Sequence, residues 1–186
     1  MSGILSVTVY CGSSSEVDPK YLDLARRLGK AIAARGWRTV YGGGNVGLMG
    51  QVASSAKESG GKVLGVMPHF LRQLEGVLEG IENRYTDNMH QRKQALLDEG
   101  DALVVLPGGI GTLEEAVETL SWAKLSLHHK PMAFLSEDGY WTPFFHLVDH
   151  MIDGGFLPAS FRMLMADTST PEAALNVLHE RAIVLD

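Results

Sequence analysis

The chain has 186 residues, a formal net charge of −6, a hydrophobic share of 45%, a charged share of 20% and one cysteine, Cys11. That length buries an ordinary core without staples, so a single domain over residues 1–186 is expected. The acidic balance argues against a nucleic-acid surface, no apolar run reaches the ~18 residues of a membrane span, and a lone cysteine excludes an internal disulfide or thiolate metal cluster within one chain. Met1 to Val7 lacks a basic leader and alternates like a strand, so a cytoplasmic protein is expected.

Ile4 to Tyr10 reads as a strand ending in the small-residue turn Cys11-Gly12-Ser13-Ser14-Ser15. A helix follows from Pro19 to the stop at Gly36, with Leu22, Ala25, Leu28 and Ile32 at helical spacing. Trp37 to Tyr41 is a second strand, and Gly42-Gly43-Gly44-Asn45-Val46-Gly47 leads from it into a helix ending near Gly60. Gly42, Gly44 and Gly47 match the dinucleotide fingerprint G-x-G-x-x-G. A dinucleotide site also wants an acid at the end of the next strand to hold a ribose hydroxyl, but Lys62 to Met67 ends in Pro68 and His69. A nicotinamide or flavin oxidoreductase is therefore a minor alternative. No Gly-Lys-Ser/Thr is present, which argues against P-loop ATP hydrolysis.

Residues 70–84 read as an irregular loop with short helical pieces, and Met89 to Leu97 as a helix carrying Arg92 and Lys93, a pair that by spacing alone fits a solvated charged face. Ala102 to Leu106 is a buried strand running into Pro107-Gly108-Gly109-Ile110-Gly111-Thr112-Leu113-Glu114-Glu115 and a helix reaching Leu127. A Gly-rich turn with bare N–H groups opening a helix is a seat for phosphate, and Glu115 places a carboxylate beside it. Thr112 to Glu115 also fits a plain helix capping box. A strand at Met132 to Leu135, a helix at Tyr140 to Ile152, a short strand at Met163 to Ala166 and a helix at Pro171 to Arg181 complete the chain. His146 and His150 stand at zinc spacing, but no third ligand accompanies them, so no metal site is expected.

This alternation predicts a doubly wound, Rossmann-like α/β domain: a parallel sheet with helices on both faces. The turns after Tyr10, Tyr41 and Leu106 all leave strand C-terminal ends and fall on one rim, where such sheets bind ligands. Three small-residue loops on one rim favour a site over a cap.

Pro107-Gly108-Gly109-x-Gly111-Thr112-x-x-Glu115, preceded by Met89-x-x-Arg92-Lys93 with Arg92 and Glu115 23 residues apart, resembles the paired motif of the LOG (LONELY GUY) family of cytokinin riboside 5′-monophosphate phosphoribohydrolases. Gly12-Ser13-Ser14 and Gly42-Gly43-Gly44 add to a resemblance that runs from about Val7 to Leu127. It implies hydrolysis of the N-glycosidic bond of a nucleoside 5′-monophosphate, with Arg92 and Glu115 as the catalytic pair. Substrate contacts from Gly12, Ser13, Gly43, Gly44, Glu82, Lys93, Gly108, Gly109, Ile110, Gly111, Thr112 and Ser121 and a homodimer are further implications, and no cofactor is expected. An older label for such proteins, lysine decarboxylase, finds no pyridoxal phosphate pattern here.

Physical reasoning is consistent with that chemistry. Cleavage builds positive charge on the ribose, which a carboxylate stabilises while it directs a water. Glu115, read as first-turn, is expected to be ionised by the helix dipole. Arg92 keeps its proton and so clamps or aligns, leaving Asp87, His90 or water to protonate the departing base. A helical wheel puts Leu113, Ala116, Val117, Leu120 and Ala123 on the core face, with Glu115, Glu118 and Trp122 opposite, and an uncovered Trp122 is consistent with a partner chain. The competing reading is a non-catalytic nucleotide or molybdenum-cofactor carrier of related fold, which would not need both Arg92 and Glu115.

Overall fold

The computed structural model describes residues 4–185. Met1 to Gly3, part of the stretch read above for a leader, lie outside them. Seven parallel strands form one sheet: β1 (Ser6–Tyr10), β2 (Arg38–Tyr41), β3 (Val63–Pro68), β4 (Glu82–Thr86), β5 (Ala102–Val105), β6 (Met132–Leu135) and β7 (Met165–Thr168). Their spatial order is β4-β3-β2-β1-β5-β6-β7. Growth outward from β1 reverses direction between β1 and β5, where Val7 to Tyr10 pair with Ala102 to Val105. This is the doubly wound architecture expected from the sequence.

The helices are α1 (Pro19–Ala34), α2 (Gly47–Glu58), α3 (Arg72–Glu75), α4 (Met89–Glu99), α5 (Ile110–Lys124), α6 (Thr142–Asp153) and α7 (Pro171–Leu185). None is long and apolar enough to cross a membrane among the described residues. Strand alternation sends Val7 and Val9 into a core under α1, α2 and α7, and Tyr10 into a second core under α4, α5 and α6. Both faces of the sheet are thus covered, which explains why β1, β5 and β6 are buried at every position. Thr8, on the second face, is tolerated there because its hydroxyl donates to the Leu96 carbonyl of α4 at 2.7 Å.

Two expectations need correction. The irregular stretch 70–84 runs into an edge strand: β4 is polar and alternates exposed with half-buried residues, so it carries no apolar run. On α5, Val117 is 46% exposed rather than core-facing, and Trp122 packs against the second core rather than facing away from it.

Candidate active site

The reversal of strand order opens a crevice between the loops that leave β1 and β5, and here the two backbones cross at close range. The Gly12 N–H donates to the Pro107 carbonyl at 3.1 Å. A Cβ at Gly108 would collide with Thr112 Oγ1 and the Gly12 nitrogen, so that position requires glycine, and one at Gly12 would lie a tight 3.2 Å from Gly108 Cα. The resulting cleft, about 280 Å³, is lined by Val9, Cys11, Gly12, Ser13, Gly42, Met49, Glu75, Arg92, Gly109, Ile110, Gly111, Thr112 and Glu115.

Gly109 is the N-cap of α5 and no side chain caps the helix. The first four N–H groups, Gly109 to Thr112, therefore have no intrahelical partner, and all four of these residues line the cleft. The capping-box reading of Thr112 to Glu115 does not hold. The helix begins earlier than expected, which places Glu115 in its second turn, out of reach of the cap.

Arg92 is 7% exposed and is held by carbonyls at two strand ends: Nε donates to Val66 O at 3.2 Å and Nη2 to Gly42 O at 3.1 Å. That leaves Nη1 directed at Glu115, 3.4 Å from Oε1. The Glu115 side chain is 12% exposed, and burial pushes its carboxyl up from 4.5 to about 7 although Arg92 pulls it down. The expected dipole-stabilised carboxylate is corrected accordingly: desolvation dominates, and Glu115 titrates near neutrality. Its turn of helix is fixed from beneath, where Thr119 Oγ1 donates to the Glu115 carbonyl at 2.8 Å and lies 3.1 Å from the Tyr10 hydroxyl.

The other candidates divide clearly. Gly12, Ser13 and the segment Gly109 to Thr112 line the cleft, with Gly108 packed just behind. Gly43 and Gly44 serve packing: the first has φ +85° against Met67, and a Cβ on the second would press on Met49 and Glu75. Lys93, also buried, turns away from the cleft to Glu114 at 2.5 Å and Glu118 at 3.1 Å. Glu82 is exposed at the N-terminal start of β4, the opposite edge of the sheet from the loops, and Ser121 is exposed far along α5. Neither reaches the cleft. Asp87 and His90 are exposed and do not line it.

The residue that sequence reasoning missed is Glu75. It ends α3, lines the cleft, and its Oε2 is buried without a hydrogen-bond partner. Its backbone carbonyl accepts from Asn45 N–H at 3.0 Å, which ties α3 to the second Gly-rich loop. The third strand ends in Pro68 and His69 without an acid, and Glu75 stands seven residues beyond Pro68, past an unpatterned stretch.

A protein-family model described as "possible lysine decarboxylase" matches residues 49–178. Pyridoxal phosphate would need a lysine amine in the cleft, and the lining contains none, so the residues present do not fit that cofactor. A probable cytokinin riboside 5′-monophosphate phosphoribohydrolase of Oryza sativa subsp. japonica is 43% identical over 94% of this chain and 77% of its own length. A cytokinin riboside 5′-monophosphate phosphoribohydrolase of Arabidopsis thaliana is 38% identical over 95% and 82%. Among solved structures, the molybdenum cofactor carrier protein of Chlamydomonas reinhardtii shares the fold, with a TM-score of 0.73 over 96% of this chain and 98% of that one at 23% identity. Identity of this extent, carried over nearly the whole chain, means that the protein belongs to the LOG family of cytokinin riboside 5′-monophosphate phosphoribohydrolases.

Proposed function

We propose that this chain hydrolyses the N-glycosidic bond of adenosine 5′-monophosphates, plain or N6-modified, to the free base and ribose 5-phosphate. The observation that carries this reading is the buried Arg92–Glu115 pair beside the unpaired N–H groups of Gly109 to Thr112. The names of the relatives support the substrate class.

In this reading the phosphate sits on the N–H groups of Gly109 to Thr112, with the Ser13 hydroxyl at the same rim. The ribose then lies over Glu115 and Arg92. Glu75, with an unpartnered carboxylate oxygen at the cleft, accepts hydrogen bonds from ribose hydroxyls. As the C1′–N bond breaks, its electron pair leaves with the base, which takes up a proton, and the Glu115 carboxylate stabilises the cationic sugar and takes a proton from the water that adds to C1′. Arg92 holds Glu115 in place and keeps part of its population ionised at neutral pH.

The chain works as one domain and in the cytoplasm. It pairs with a second copy. The support is an exposed apolar stripe along α5 and its C-cap, where Ile110 is 83% exposed, Val117 46% and the cap residue Leu125 64%, spaced to share one side of the helix. Trp122 is half-buried against the second core of its own chain.

Four outcomes are expected. AMP should release adenine while adenosine reacts poorly, and equal turnover of the two would remove the phosphate seat. Glu115→Gln should lower kcat by roughly two powers of ten in a folded protein, and the parent kcat/KM should rise with pH through about 7; a fall with pH would make Glu115 the proton donor. Stability should follow the same group with the sign of a raised carboxyl: greatest below 4.5, declining as pH rises to about 7, then flat, with that decline absent from Glu115→Gln in urea titrations. Sedimentation at micromolar concentration should give a dimer, which Val117→Glu on the exposed stripe of α5 should weaken.

A further inference from the structure

The strap Pro107 to Gly109 is gripped from two sides. On the inner side Gly12 holds it, through the bond to Pro107 O and through close packing on Gly108. On the outer side the Tyr140 hydroxyl donates to the Gly108 carbonyl at 2.7 Å. Tyr140 does not line the cleft and sits in the loop between β6 and α6.

Its placement is itself determined by several contacts. The Tyr140 N–H donates to Asp138 Oδ1 at 3.2 Å, and the Tyr21 ring meets it edge-on at 5.6 Å. Asp138 is anchored in turn, accepting from the Tyr21 hydroxyl at 2.7 Å and pairing with Lys20 at 2.9 Å. A relay of contacts thus runs from the start of α1 through Asp138 and Tyr140 to the strap.

The carbonyl of Gly108 and the N–H of Gly109 belong to one planar peptide and point in opposite directions. With glycine on both sides that peptide has no side chain to hold its orientation, and a Cβ at Gly109 would meet nothing within 4 Å. We propose that Tyr140 is a positioning residue for the phosphate seat: by holding the Gly108 carbonyl outward it keeps the Gly109 N–H available to a phosphate oxygen. This rests on the functional reading above.

The test is Tyr140→Phe, which removes only the hydroxyl of a side chain that is 39% exposed. Calorimetry with ribose 5-phosphate should show affinity weakened roughly three- to tenfold, the loss expected for one hydrogen bond. KM for AMP should rise in parallel, kcat should stay within about twofold of the parent, and the thermal midpoint should stay within a few degrees. Unchanged ribose 5-phosphate affinity, or a fall in kcat at constant KM, would overturn the positioning role. A parent that binds ribose 5-phosphate but does not cleave AMP would overturn the functional reading instead, and the calorimetric comparison would still decide on Tyr140.

Discussion

A guanidinium buried to 7% exposure is costly unless its donors are met, and the site is built around meeting those of Arg92. Two of its nitrogens go to the Val66 carbonyl in the C-terminal half of β3 and to the Gly42 carbonyl just past β2. Parallel strands present their C-terminal carbonyls along one rim, so the sheet supplies acceptors where the crevice opens. Gly42 makes the approach possible, because a Cβ there would collide with the guanidinium. The G-x-G-x-x-G match is thereby explained without a dinucleotide: Gly42 admits Arg92, Gly44 makes room for Met49 and Glu75, and Gly47, with φ +56°, packs against Ser13 and Ser14.

Once Arg92 is held by main-chain carbonyls, its remaining nitrogen faces Glu115, and the chemistry follows from how incomplete that partnership is. At 3.4 Å the pair attracts but is not a close bidentate bridge, and desolvation of the carboxylate outweighs it. A carboxyl that titrates near neutrality is poised to exchange protons with water, which a fully neutralised salt bridge would not be. Glu75 adds a second negative group to the same cleft and pushes Glu115 further in that direction.

The sheet, six of its seven strands and the rim loops were legible in the sequence, because buried parallel strands write themselves as continuous apolar runs and their turns as small residues. β4 was not, since an edge strand of Glu82, Asn83 and Arg84 has one exposed side and no apolar run. Arg92 and Glu115 were legible as a spaced pair, whereas Lys93 pairs with Glu114 and Glu118 and Glu82 sits at the far end of β4 from the rim. The rotation of α5 departs from the apolar wheel for a physical reason: its inner face seats Thr119 against Tyr10 and turns Glu115 into the cleft toward Arg92, which leaves Val117 facing out. A wheel that sorts only apolar from polar has no means of expressing an inner face that includes a carboxylate lining a cleft.

The same fold serves the molybdenum cofactor carrier protein of Chlamydomonas reinhardtii, so the architecture alone does not separate an enzyme from a binding protein. The separation lies in the electrostatics of the rim. A site selected only to retain a phosphate gains from unpaired N–H groups and from Arg92, but loses by placing Glu115 and Glu75 in the same small cleft, where their charge repels the anion. Those carboxylates border the same space as the N–H groups of Gly109 to Thr112, and the burial of Glu115 works against its charge. Such an arrangement is favourable when a positive charge develops in that space during reaction, as it does on a ribose whose glycosidic bond is breaking.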